Sequence, residues 1–372
     1  MRITYLLLTA YGMGGTVRTV LSQANTMAEN GHDVEVVSVC RTRRVPHFQI
    51  SPKVRVRRLM ETSLAEPDVS PVLAEKLIPF LREERDGILV STRPSIGLLV
   101  AEHTTSDVIK VTQEHTPLFS RRDEIQEAIA RTYGAFDAIV TLTDEDGAAY
   151  ARWFDTVTSI PNAVHTTDVP KTDHQSKTII TAGRLVGVKG YPLLLRAFKQ
   201  VVARHPDWRL RIYGNGWQQE RLRRIVVRNH LYNHAYVLPS TTDLDAELAR
   251  SAIFAMSSRS EGFPMVLLEA INCGLPVASF DCPVGPRAIV THGHDGLLVA
   301  PGDVDALAQA LIQLIEDEPL RRRMGANALA TAAQYAPEAI HPRWERLFED
   351  LTARRHADPT TRTQEDSSCA SH

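Results

Sequence analysis

Two carboxylates and two cations in the second half of the chain carry the chemistry that is most legible. Glu261 and Glu269 have seven residues between them in the run SSRSEGFPMVLLEAINCGLP. That spacing is common, and its setting gives it meaning. Glu261 falls in a loop just after the apolar run Ile253–Met256, and Gly262 permits an unusual backbone turn there. Pro264 suits the first turn of a helix, where its missing N–H costs nothing. Gly274, with Pro276 beyond it, ends that helix near Cys273. The first amides of such a helix, from Phe263 through Met265 to Val266, favour an anion. Glu269, about one and a half turns inside, can accept both hydroxyls of a ribose, and Glu261 those of a second sugar. Read as structure alone, Glu269 is an exposed helix residue and Glu261 a charge at a helix start. The cations are Arg184 and Lys189 in AGRLVGVKG, a turn with three glycines that follows the apolar run Lys177–Thr181. Arginine can fork onto a diphosphate and lysine adds a point charge. The plainer alternative is a solvated surface pair.

The first half offers weaker signals. YGMGGTVR (Tyr11–Arg18) joins an apolar run to a helical pattern, with Gly14 and Gly15 able to bring backbone close to a ligand. It is not a full GxGxxG. The next strand closes on Val39–Cys40–Arg41 without the acidic residue a dinucleotide site needs, which argues against NAD and FAD. His115, in VTQEHTP, sits just past a strand end; a lone histidine is more often structural than functional. Gly214, Asn215 and Gly216 follow the strand Leu210–Ile212, and Pro239, Ser240 and Thr241 follow the strand ending near Val237. Residues 41–58 hold seven bases and no acid: Arg41, Arg43, Arg44, Lys53, Arg55, Arg57 and Arg58. They read as a solvated loop with an edge strand, or as a surface for anionic headgroups or a phosphate-rich acceptor.

Alternating strands and amphipathic helices must hold these residues. Short apolar runs begin at Ile3–Leu8 and Val34–Val39 and continue through Val108–Thr112, Ala138–Leu142 and Val157–Ile160. After Lys177–Thr181 they resume at Leu210–Ile212, Ala235–Val237, Ile253–Met256, Val277–Phe280 and Gly296–Val299. Helical patterns fall between them, including Val17–Glu29, Tyr191–Arg204, Asp303–Glu316 and Arg343–Arg354. The βα rhythm implies two doubly wound α/β domains with parallel sheets, and ligands at the carboxyl ends of the strands, in a cleft between the domains. Residues 161–176 (PNAVHTTDVPKTDHQS) lack periodicity and read as the linker. The domains are expected over 1–165 and 166–340, with a last helix over 341–356 and a polar, disordered tail over 357–372.

The 372 residues suffice for two such domains, with 43% apolar and 23% charged side chains. A net charge of −2 argues against a global nucleic-acid binder. No apolar run reaches the length of a membrane span, and MRITYLLLTAYGMGG reads as a first strand and not a leader, which points to a cytoplasmic protein. Cys40, Cys273, Cys282 and Cys369 are scattered, as reduced thiols and not as a zinc site. No DxD flanked by apolar strand is present, and DEDG at Asp144–Gly147 reads as a helix start. No catalytic metal or other cofactor is expected.

EGFPMVLLEAINCGLPV resembles the E-x7-E signature of the family 4 retaining glycosyltransferases, which have the GT-B fold of two Rossmann-like domains facing a central cleft. SFDCPVGPRAIV and GHDGLLVAPGD are similar to the continuation in exopolysaccharide and teichoic-acid glycosyltransferases of that family. The likeness spans about residues 3 to 350 and is densest from 180 to 305. It implies a nucleotide-sugar donor, UDP-linked before GDP- or ADP-linked, on the C-terminal domain. There Arg184 and Lys189 neutralise the diphosphate, Glu269 grips the ribose, and Glu261 with Gly262, Phe263, Pro264 and Met265 orients the sugar. Pro239 and Ser240 border the base, and Gly214 and Asn215 belong to another donor-binding turn of the cleft. Gly14, Gly15 and His115 face the donor from the acceptor-binding N-terminal domain, and Asn162 is the hinge asparagine. The final helix, with Trp344, packs back on that domain. The implied reaction transfers a hexose-type sugar to a hydroxyl acceptor with retention and without metal. An epimerase on a UDP-sugar and a non-catalytic sugar-nucleotide sensor are the alternatives.

Overall fold

The computed structural model describes residues 1–62 and 71–357. The polar tail after Ala357, with Cys369, lies outside the described residues. The chain divides into two units: Met1–Ile160 with the chain from Ile340 onward, and Pro161–Ala339.

The first unit carries a seven-stranded parallel sheet. Its strands are β1 (Arg2–Leu7), β2 (Asp33–Ser38), β3 (Arg55–Arg58), β4 (Ile88–Ser91), β5 (Ile109–Glu114), β6 (Ala138–Thr141) and β7 (Val157–Ser159), in the spatial order β3-β2-β1-β4-β5-β6-β7. Helices α1 (Gly15–Glu29), α2 (Pro71–Glu83), α3 (Pro94–His103), α4 (Asp123–Thr132) and α5 (Asp144–Tyr150) connect the strands. β1 is buried along almost its whole length because helices cover both faces of a parallel sheet. It pairs Tyr5 with Val36 of β2 on one side and with Val90 of β4 on the other. β3, of sequence RVRR, is exposed throughout. An arginine-rich edge of this kind discourages pairing with a further strand. DEDG does begin a helix: the Thr143 hydroxyl caps α5 by accepting the Asp146 N–H at 3.2 Å.

The second unit holds six parallel strands: β8 (Thr178–Ala182), β9 (Arg209–Tyr213), β10 (Ala235–Leu238), β11 (Ile253–Met256), β12 (Val277–Phe280) and β13 (Gly296–Val299), in the order β10-β9-β8-β11-β12-β13. Its helices are α6 (Tyr191–Arg204), α7 (Gln219–Arg228), α8 (Leu244–Ala249), α9 (Met265–Asn272), α10 (Val304–Glu316) and α11 (Glu318–Ala333). Leu194 and Phe198 of α6 meet Leu311 and Leu314 of α10 in its core. Residues 161–176 contain no helix or strand, as the missing periodicity foretold, yet they are stitched to this unit. Val164 donates its N–H to the Tyr335 carbonyl at 2.8 Å, and the Lys171 ammonium donates to the Asn272 carbonyl at 2.7 Å.

α12 (Pro337–Ala357) is longer than the expected last helix and packs on the first unit from Ile340. Trp344 and Phe348 are buried, with ring centroids 5.7 Å apart. Glu345 takes His32 at 3.0 Å, and Arg343 donates to the Ser159 carbonyl at 2.6 Å. Among the described residues no helix is long and apolar enough to cross a membrane.

Candidate active site

In each sheet the strand order reverses at one point, between β1 and β4 and between β8 and β11. Successive connections leave in opposite directions there, and the loops beyond the carboxyl ends part. In the second unit those loops are residues 183–190 and 257–264, which hold Arg184, Lys189 and Glu261. The Lys189 ammonium lies 2.6 Å from Glu261 Oε1, with only 17% and 11% of the two side chains exposed. The loops are bound to each other by more than this pair. The Ser257 hydroxyl donates to the Lys189 carbonyl at 2.9 Å, and the Arg259 amide donates to the Val188 carbonyl at 2.8 Å. Gly190 adopts φ +66°, and a Cβ there would overlap the Ser257 carbonyl oxygen. Only glycine accepts both the dihedral and the approach.

Arg184 is exposed, and its side chain makes no hydrogen bond or ion pair with another described residue. Lys189 is already matched by Glu261, 72 residues away in sequence. The neighbouring loops do come together as expected. Asn215 donates its side-chain amide to the Ser240 hydroxyl at 2.6 Å, tying the turn Gly214–Gly216 to Pro239–Ser240. The Leu185 amide donates to the Asn215 carbonyl at 2.8 Å, which places the Arg184 loop beside them.

Pro264 is the N-cap of α9, one position before the expected first turn, and α9 opens at Met265. Phe263 is buried against Tyr335, with centroids 5.8 Å apart. The helix ends as the glycine predicted: Gly274 takes φ +79°, and the Leu275 N–H reaches the Ala270 carbonyl at 3.1 Å. Glu269 is not the exposed helix residue of the plainer reading; it is 7% exposed among Leu267, Leu268, Ala270 and Ile271.

Sequence reasoning missed the support beneath Glu261. Glu261 forms a parallel bridge with Val284, and Val284 adopts φ +71°, a left-handed conformation unfavourable for a β-branched residue. Gly285 packs against the Glu261 Cβ so closely that a methyl group would clash. The run Pro283-Val284-Gly285-Pro286 was the one signal available, since two prolines and a glycine within four residues mark a shaped loop.

In the first unit His115 follows β5 at the rim of a cavity of about 470 Å³. Its Nε2 is buried without a hydrogen-bond partner. Burial, and then the Arg121 charge, push its pKa down to about 3, so the ring is neutral. Beside it Glu114 is fully buried; it binds Arg121 and accepts the Tyr133 hydroxyl at 2.9 Å and the Thr112 hydroxyl at 3.0 Å. Gly14 and Gly15 are exposed at the start of α1, and a Cβ on Gly14 would meet nothing.

The glycosyl transferases group 1 model matches residues 166–331, and the glycosyltransferase family 4 model matches residues 13–168. Together the two models take in residues 13–331, and both describe glycosyl transferases. It is 34% identical over 394 residues to the exopolysaccharide phosphotransferase SCO2592 of Streptomyces coelicolor; the match takes in 95% of this chain and 41% of that relative. It therefore spans about two fifths of that protein's length. It is 26% identical over 351 residues to the amylovoran biosynthesis glycosyltransferase AmsD of Erwinia amylovora, covering 90% of this chain and 96% of AmsD. Among solved structures, Staphylococcus aureus TarM in complex with fondaparinux, alpha-GlcNAc-glycerol and UDP superposes with a TM-score of 0.80 at 13% identity, over 93% of this chain and 99% of TarM. The two parallel-sheet units are those of the GT-B fold.

The basic stretch 41–58 is largely neutralised from outside itself. Lys53 pairs with Glu29, Arg55 with Asp33, Arg57 with Glu35 at 3.0 Å, and Arg41 and Arg58 with Glu61 at 2.8 and 3.2 Å. The absence of acids was a feature of the sequence window only, because parallel pairing of β2 with β3 brings Asp33 and Glu35 alongside. Arg43 and Arg44 have no acidic partner among the described residues. The buried thiols of Cys273 and Cys282 are pushed up to about 12, chiefly by burial, and stay protonated. Cys40, Cys273 and Cys282 form no disulfide.

Proposed function

We propose that the chain transfers a hexose-type sugar from a UDP-linked donor to a hydroxyl of an acceptor, with retention of anomeric configuration and without a metal ion. The observation that carries the reading is the Lys189–Glu261 pair at the switch point of the second sheet, with Glu269 buried one helix beyond it. A cation and a carboxylate held together there are suited to a ligand with a charged leaving group and hydroxyls beside it. Lys189 and Arg184 supply the positive charge that a metal would otherwise bring to a departing diphosphate. Glu269 accepts the ribose hydroxyls, and Glu261 orients the sugar. The UDP in the TarM complex supports the choice of nucleotide.

The first unit takes the acceptor. His115, neutral near pH 7, acts there as a hydrogen-bonding group and not as a nucleophile. No carboxylate is identified beneath the anomeric carbon, so same-face substitution assisted by the leaving phosphate is preferred to a double displacement. The enzyme works in the cytoplasm and touches a membrane through Arg43 and Arg44, which are exposed with Val45 beside them.

A thermal-shift series with UDP-, GDP- and ADP-sugars tests the donor. Stabilisation by UDP-sugars alone, lost in Lys189→Ala, is the expected result. Stabilisation by another nucleotide class corrects the donor, and full transfer activity in Lys189→Ala or Glu261→Ala refutes the assigned roles.

A further inference from the structure

The cavity beside His115 is a site in its own right. It opens at the carboxyl ends of β1, β4 and β5, where the strand order of the first sheet reverses. Its described lining includes the hydroxyls of Ser95, Thr116 and Ser120 and the guanidinium groups of Arg121 and Arg122. No Asp, Glu, Asn or Gln side chain lines it among the described residues, and no phenyl, phenol or indole ring does.

That composition separates two kinds of ligand. A neutral sugar presents hydroxyl donors and calls for carboxylate or amide acceptors. An oxyanion presents acceptors only and calls for N–H and O–H donors. Buried polar atoms of the wall without a hydrogen-bond partner include Ser95 Oγ, His115 Nε2 and Arg121 Nε. Arg121 is held in place from behind by Glu114 and by its bond to the Thr116 carbonyl at 2.8 Å. Arg122 adds an exposed charge at the rim. α3 starts at this wall, and its dipole contributes the same sign. The bases at 41–58 are instead largely neutralised by Glu29, Asp33, Glu35 and Glu61.

We propose that this cavity binds a phosphate group carried by the acceptor, so that the acceptor is a phosphorylated polyol, glycan or lipid. The inference rests on the reading of the first unit as the acceptor-binding one. Such a phosphate would accept from Arg122 and Ser95 and leave a nearby hydroxyl of the same molecule for glycosylation.

Calorimetric titration of the full chain tests this with two matched pairs: glycerol 3-phosphate against glycerol, and phosphatidylglycerol in detergent micelles against diacylglycerol. UDP is titrated in parallel. In at least one pair the phosphorylated member is expected to bind about ten-fold tighter or more. Arg122→Gln and Ser95→Ala should weaken that binding about five-fold or more, and Arg122→Lys should restore part of it, with UDP affinity unchanged throughout. The pair that responds names the source, a water-soluble phosphate or a lipid headgroup. Equal affinity within both pairs overturns the proposal while UDP binding stands. Phosphate binding that survives both variants, or that saturating UDP abolishes, also overturns it, because the anion then sits elsewhere. Failure to bind UDP overturns the donor reading instead.

Discussion

Lys189 and Glu261 are each mostly withdrawn from water, so neither can be removed alone without stranding the other's charge. Glu261→Gln keeps the shape and removes the charge. It is expected to lower unfolding stability by about 1–3 kcal/mol, and Lys189→Met by a similar amount. The double variant should lose less than the sum of the two, since removing both charges leaves nothing unpaired. Urea denaturation of the three variants measures this; strict additivity means that the pair is not coupled. His115 bears on pH. Its folded pKa of about 3 lies below the ordinary imidazole value of 6.5. Between those limits the unfolded chain binds a proton that the folded chain does not, so stability falls as pH falls through that window. His115→Gln should therefore narrow the stability difference between about pH 4.5 and 7.5. Denaturation midpoints at the two values check it, and an unchanged difference shows that the ring titrates normally.

Gly190 is where two connections become one structure. The turn after β8 reaches the turn after β11 only because a backbone carbonyl occupies the place of its side chain. Gly190→Ala combines a positive φ with a backbone clash and is expected to cost about 2–4 kcal/mol. It should also lower UDP affinity, because it parts Lys189 from Glu261. Retained affinity in a folded Gly190→Ala variant would show that the two loops bind independently. The helices α6 and α9 and the strands β12 and β13 follow from apolar runs bounded by glycine or proline, and β11 from the run Ile253–Met256; the sequence expectation matches them closely. β4 was not singled out, because ILVS is short and ambiguous between strand and buried helix. Yet β4 sits beside β1 at the switch point and helps form the cavity at His115.

The chain crosses between the units twice, at Ile160–Pro161 and again at Ala339–Ile340. α12 therefore stabilises the unit built from the start of the chain. Trp344 is 2% exposed, and Trp344→Ala is expected to remove about 3–5 kcal/mol from the first unit. UDP bound to the second unit at about a hundred times its Kd should add about 2.7 kcal/mol to that unit only. Scanning calorimetry of wild type and variant, each with and without UDP, separates the effects. A UDP shift that disappears in Trp344→Ala would place nucleotide binding outside the second unit.

Local patterning was enough to define the α/β class, the two-domain organisation and the candidate loops, because helix and strand periods, glycine turns and proline starts are short-range properties. Glu261, Glu269, Arg184 and Lys189 could be singled out for the same reason: each lies at the end of a legible strand or inside a legible helix. Pairing across the fold could not be read this way. The match of Lys189 with Glu261, the support from Val284 and Gly285, and the neutralisation of Arg55 and Arg57 by Asp33 and Glu35 join residues distant in sequence. Which charges remain available to a ligand depends on strand order and register, and those are settled only when the whole sheet assembles.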